Sequence, residues 1–268
     1  MKIILIAAFC LHLISVYSQT ETYYSGSALS RTLAYHSTMF TGLDAIYHNP
    51  AGLSAGKRQS GIDLSASQMN GFTEIIQPTI GFKFDSGNGS FGLHLSRIGS
   101  KDYALTEAGL VYSLKLHQQI WVGVRFRGKV LQIPAYGSRF LPGLDLGFLS
   151  KINSNSSWSL YISQPFLSTD GPLIKKMGRL AFGYQYTLSE KVVLMTEVEK
   201  IQNRNLGIKI GWVYQLQNQI EIRLGTEVMR KIFSFGFGWS YKQQRFLVGY
   251  EWHSALRGAI SMSIQWRK

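Results

Sequence analysis

The most constraining feature of this chain is an alternation of period two that recurs from about Ser60 to the last residue. From Leu206 to Leu216 the even positions read Leu206, Ile208, Ile210, Trp212, Tyr214 and Leu216, while the odd ones are mostly Gly, Lys or Gln. Side chains on a strand point alternately to opposite faces, so this run has one wholly apolar face. The same phase recurs at Leu180, Phe182, Tyr184 and Tyr186, and an odd phase at Phe233, Phe235, Phe237 and Trp239. In a soluble sandwich the second face would be rich in Lys, Glu and Thr. Here it is largely Gly, Ser and Gln with scattered charges, which points to an all-β fold: a transmembrane antiparallel β-barrel with lipid on its apolar side.

Counting alternating runs between turn signals predicts about fourteen strands, starting near Ser60, Ile75, Ser90, Tyr103, Gln119, Ser138, Trp158, Met177, Lys191, Asn205, Gln219, Lys231, Arg245 and Leu256. Tight polar turns follow the even-numbered strands, for example Ser86-Gly87-Asn88-Gly89 and Gln217-Asn218. Less uniform loops follow the odd-numbered ones, the longest from about Gln164 to Lys176. An even strand number brings both termini to one side, the periplasmic side of a bacterial outer membrane. Aromatic residues near strand ends, among them Trp121, Trp158, Trp212, Trp239, Trp252 and Trp266, suit the membrane interface.

Residues 1–18 read as an export signal: Lys2, an apolar run from Ile3 to Val16, then Val16-Tyr17-Ser18 as the cleavage site. Cys10, the only cysteine, lies within it, so the mature chain is expected to have no thiol and no disulfide. The formal charge of +13 does not indicate nucleic acid in an exported chain, because of where the charges fall. The strand phase turns Lys83, Arg125, Arg127, Arg179, Lys209 and Arg223 inward, together with Asp145, Glu197, Glu221, Glu227 and Glu251. Lys115, Lys129, Arg257, Asp63 and Glu199 share that face, and the two signs nearly cancel, as in a lumen laced by ion pairs. The basic excess, Arg97, Lys101, Arg139, Lys175, Lys176, Lys200, Arg204, Arg230 and Lys231, sits at turns and strand ends. There it is either ordinary solubilising charge or a ring facing outer-membrane lipid and lipopolysaccharide.

Three segments result: the signal (1–18), a segment without sustained alternation (19–59) and the barrel (60–268). A barrel of this width needs filling, and 19–59 is the available filler, a hatch plugging the lumen. Its stretch from Ser27 to Ile46 is helix-like, broken at Gly42 and at Asn49-Pro50. Inward glycines such as Gly123, Gly147 and Gly225 would let its backbone approach the wall, or would serve strand curvature.

The segment ends in Asn49-Pro50-Ala51-Gly52-Leu53. This resembles the signature that opens the barrel in the FadL and PorV/PorQ superfamily of outer-membrane proteins, found in Bacteroidetes-type bacteria among others. The resemblance implies a fourteen-stranded barrel with an N-terminal hatch. It places Asn49, Pro50 and Ala51 on a diffusion path for hydrophobic ligands in FadL-like members. In PorV-like members the barrel instead partners secretion machinery. Of the family's Asp pair before the motif only Asp44 remains, and the long outer loops are missing. Asn49-Pro50 also reads simply as a tight turn.

No enzyme is expected, and no cofactor or metal. Glu251, His253 and Ser254 could supply a carboxylate, a base and a hydroxyl, but nothing fixes a catalytic geometry. His94 is read as a lone inward residue, and His36 and His48 as too far apart for a metal pair. Two functions remain. The first is a plugged scaffold partnering an outer-membrane secretion (type IX-like) or assembly complex. The alternative is a passive channel for long-chain fatty acids or other hydrophobic small molecules. Short loops and few large apolar inward side chains (Val111, Leu149, Val193, Met195, Val213, Leu247) favour the first.

Overall fold

The computed structural model describes residues 27–69, 72–87, 89–100, 103–134, 136–164, 178–254, 256 and 258–268. The expected export signal, most of the longest loop and Arg257 lie outside them. The strands are β1 (Gly61–Met69), β2 (Phe72–Ser86), β3 (Gly89–Gly99), β4 (Ala104–His117), β5 (Ile120–Ile133), β6 (Gly137–Lys151) and β7 (Ser156–Ser163). They continue with β8 (Arg179–Ser189), β9 (Val192–Ile201), β10 (Gly207–Gln217), β11 (Ile220–Glu227), β12 (Ile232–Tyr241), β13 (Gln244–His253) and β14 (Ala259–Arg267). Each pairs antiparallel with its sequence neighbours, and β1 closes on β14, so the sheet is one closed barrel of fourteen strands.

The alternation explains the wall. Leu93, Leu110, Phe126, Trp212, Phe235 and Met262 are each about half exposed, whereas Lys83, Arg125, Lys209 and Glu197 are almost wholly buried. That inverts the usual distribution and is the mark of a wall with lipid outside. Trp121 is a correction. It is buried, because β5 turns its odd positions inward and the ring packs on Ala51 and Leu149 rather than at the membrane interface.

Residues 27–54 lie within the wall, and Lys57, Arg58 and Gln59, which lead into β1, are exposed. The predicted helical stretch forms only one turn, α1 (Ala28–Arg31), capped by the Ser27 side chain. Ala34 and Tyr35 then adopt φ of +50° and +64°, left-handed values that end a helix. The sequence beyond, Thr32 and His36-Ser37-Thr38, is poor helix former, and Ser37 and Thr38 bond the strand residue Glu197 instead. Two 3-10 turns, Gly42–Ala45 and Pro50–Ser54, complete the segment. The six inward apolar side chains, thought too few for a tunnel, are spent on holding it. Val193, Met195, Val213 and Leu247 pack with Leu29, Leu33 and Phe40; Val111 packs with Ile46 and Leu53; Leu149 packs with Ala51.

Candidate functional site

The Asn49 motif is both a turn and a bolt. Asn49 is fully buried, and its Oδ1 accepts the Ala51 N–H at 3.1 Å, capping the second 3-10 turn. Its Nδ2 donates to the carbonyls of Thr38 (3.1 Å) and Phe148 (3.2 Å). Pro50 and Ala51 lie against Gly123, where an added Cβ would stand 2.4 Å from the Pro50 carbonyl carbon. Only glycine admits such an approach. Ser113 donates to the Ala51 carbonyl at 3.0 Å, and Leu53 fills a pocket with Ile46 and Val111. Gly52 is as tightly enclosed, against the Phe40 carbonyl.

The inward charges form ion pairs, several of which hold residues 27–59. Glu197 accepts the backbone N–H groups of Ser37 (2.7 Å) and Thr38 (2.9 Å) and is paired with Lys209 at 2.8 Å and Arg179 at 3.3 Å. Lys209 also donates to the Tyr35 carbonyl at 2.8 Å. Glu251 accepts from the Tyr35 hydroxyl at 3.0 Å and lies 3.8 Å from Arg31, so its carboxylate serves the inner segment. Asp44 is held by Arg245 at 2.8 Å and Gln265 at 2.7 Å. Elsewhere Arg125 and Arg127 share Asp145, Lys83 meets Asp85, Glu227 meets Arg230, and Glu221 meets Arg223 and Arg245. His94 is not alone: it hydrogen-bonds Glu107 at 3.1 Å and lies edge-on to Tyr47, whose hydroxyl donates to Asp63.

Burial sets the protonation of the inner segment. It pushes His36 down to about 4 against the pull of Glu197, and His48 down to about 3 with help from Arg125 and Arg179. Both rings are therefore neutral near pH 7. Burial alone would raise Asp44, but Arg245, Arg267 and Arg223 outweigh it and hold that carboxyl well below the usual range.

In one part of the described wall the pairing of two long strands stops short of their ends. β2 pairs with β3 from Ser86/Gly89 only as far as Thr79/Ser96, although both strands run on. The first unpaired residue of β2 is Pro78, which has no N–H to give to a ladder. β2 stays with β1 through Ala66/Pro78, Ser67/Gln77 and Gln68/Ile76, so a seam opens between β2 and β3. Gln77 at its lip is 2 % exposed, and its Oε1 has no hydrogen-bond partner. Outside the seam lies an apolar groove of about 590 Å³ across β13, β14, β1, β2 and β3. Its lower row is Phe246, Ile264, Leu64, Ile80 and Leu95, aligned by register. In its upper row the short Ala66 and Pro78 stand between Met262 and Arg97, which creates the hollow. Four inward residues at this level, Ser65, Thr79, Ser96 and Ser263, are small, and the fifth, Leu247, packs on the inner segment. Alternation alone does not reveal the groove, and it leaves Arg97 as either ordinary solubilising charge or part of a ring facing lipid headgroups. A proline inside an alternating run was the available signal.

Solved structures share this architecture. The Ralstonia pickettii toluene transporter TbuX aligns at a TM-score of 0.73 with 10% identity, over 92% of this chain and 99% of that one. The two chains share one fold. The Pseudomonas putida toluene transporter TodX aligns at 0.69 with 13% identity, over 94% and 100%. A Pseudomonas aeruginosa FadL homologue aligns at 0.66 with 9% identity, over 90% and 98%. At these identities the likeness concerns the fold alone. No family model and no curated protein matches the chain.

Proposed function

We propose that this barrel is a passive outer-membrane channel for hydrophobic small molecules, with the segment 27–59 as its hatch and the β2–β3 seam as its exit into the membrane. The observation that carries this reading is the ladder ending at Thr79/Ser96 beside an apolar groove. An apolar solute gains nothing by entering water, and a gap in the wall delivers it directly to lipid. The fold shared with toluene transporters supports the same reading. The competing role, a partner of a secretion or assembly complex, rests on the filled lumen, and a filled lumen equally suits a hatched channel. None of the structural neighbours named above supports the PorV/PorQ-specific role.

The test is uptake of radiolabelled toluene and palmitate by cells expressing the protein, with Gln77→Cys and Ile98→Cys introduced together. Those positions would face each other had the ladder continued, and a disulfide or short bis-maleimide bridge sews the seam. Uptake above vector that falls on bridging and returns on reduction of the disulfide is expected. Unchanged uptake with the bridge closed would refute exit through the wall, and no uptake above vector would refute the channel.

A further inference from the structure

We propose that the outer-wall groove is a binding site for a diacyl lipid with a phosphate headgroup, seated on Arg97. Among the described side chains, the outward face of the strands carries two charges, Arg97 and Lys200. Lys200 stands at the end of β9 and donates to the Arg204 carbonyl at 2.6 Å. Arg97 is exposed on the lipid-facing wall, and no carboxylate among the described side chains lies within ion-pair distance of it. A lipid-facing cation without a counter-charge is disfavoured in hydrocarbon and tolerated near the headgroups. Arg97 sits toward the loop end of β3, away from the tight turn at 87–88, at the headgroup end of the wall.

The groove and the cation meet. Arg97 closes one end of the upper row, and Leu64, Ile80, Leu95 and Ile264 floor the row beneath. Acyl chains laid over that floor leave the headgroup beside the guanidinium, whose fork matches phosphate oxygens bidentately. The groove opens to the bilayer rather than to water, which favours a membrane lipid over a dissolved anion. This occupancy is independent of whether the barrel conducts.

Native mass spectrometry of the full-length mature protein in a non-ionic detergent, titrated with dioleoylphosphatidylglycerol, dioleoylglycerol or oleate, tests the proposal. The expected result is one retained phosphatidylglycerol, binding about five-fold weaker in Arg97→Gln and lost in Ala66→Trp, which fills the hollow. Heat-modifiable gel migration checks that both variants are folded, and Arg97→Gln decides the matter if Ala66→Trp is not. Equal retention of dioleoylglycerol, undiminished binding in Arg97→Gln, or retention of oleate but not phosphatidylglycerol would each overturn it. Because no transport is measured, the result stands apart from that of the uptake assay.

Discussion

The wall from β8 to β10 and the wall from β1 to β3 are built from the same alternation and face the same lipid, yet they are lined differently. Behind the first stand the buried Glu197, Glu199 and Lys209 and the half-buried Arg179, of which Glu197, Lys209 and Arg179 bind Ser37, Thr38 or Tyr35 of the inner segment. Its ladders run without a register shift from Arg179/Ile201 to Thr187/Val193 and from Gly207/Glu199 to Tyr214/Val192. Behind the groove stand Ser65, Thr79 and Ser96, none of which hydrogen-bonds the inner segment among the described residues, and the ladder fails at Pro78. Charge pinned to a continuous ladder makes one side a mooring. Small side chains behind a broken ladder make the other a place that can part.

Breaking the mooring has the largest expected effect. Glu197→Ala leaves Lys209 and Arg179 with Glu199 as their one remaining carboxylate and strips the Ser37 and Thr38 amides of their acceptor. Each buried donor left unsatisfied costs about 1–3 kcal/mol. Since the ladders do not depend on this carboxylate, the inner segment should become accessible to protease while the barrel keeps its heat-modifiable migration. A barrel that fails with it would show that wall and segment are one cooperative unit. Asn49→Ala is the next step down. It removes the cap of the second 3-10 turn and two donations to backbone carbonyls, for about 2 kcal/mol in total. Protease should then cut near residues 49–54 before it reaches residues 28–38.

Acid should loosen the mooring in a defined window. The folded pKa values of His36 and His48, about 4 and about 3, lie below the ordinary 6.5. A group depressed in this way binds fewer protons when docked, so its contribution is complete above pH 6.5 and is lost as the pH falls toward those values. From pH 7.5 to 5.5 each histidine should withdraw about 1 kcal/mol from docking. The protection factors of the Ser37 and Thr38 amides, corrected for the slower intrinsic exchange at lower pH, should fall over that interval. His36→Gln with His48→Gln should flatten the response, and a response that persists in the double variant would place its origin elsewhere.

The mooring was largely legible in the sequence and the seam was not, for a physical reason. Alternation assigns every side chain to a face, so Lys83, Arg125, Asp145, Glu197, Lys209 and Glu221 were placed inward from parity alone. Parity says nothing about which inward charge touches residues 27–59, so the bonds of Glu197 and Glu251 to that segment required coordinates. Trp121 was misplaced because nearness to a strand end was weighed above its odd position. Arg245 escaped notice as a strand-start residue, though its parity matches that of Leu247 and Glu251. The helix expected from Ser27 to Ile46 shrank to one turn because the wall offers its backbone better partners than its own carbonyls do. The seam is a relation between two strands, and it shows in one sequence only as the misfit Pro78.

Pro78→Val gives the smallest expected effect and bears most directly on the seam. Valine supplies the missing N–H and a side chain suited to an outward strand position, while the neighbouring pairs Ala66/Pro78 and Thr79/Ser96 already hold both flanks in register. If the proline is what stops the ladder, β3 should pair onward toward Arg97 and Ile98. Amide protection at Arg97, the residue opposite position 78, should then rise, with a stability gain below about 1 kcal/mol. Toluene uptake should fall with it, because a zipped seam offers no exit. Protection that stays flat while Pro78→Val folds normally would mean that the lining of small inward residues, and not the missing donor, separates β2 from β3. Enlarging Ser96 to Val would then be the substitution that decides how this side of the wall differs from the moored one.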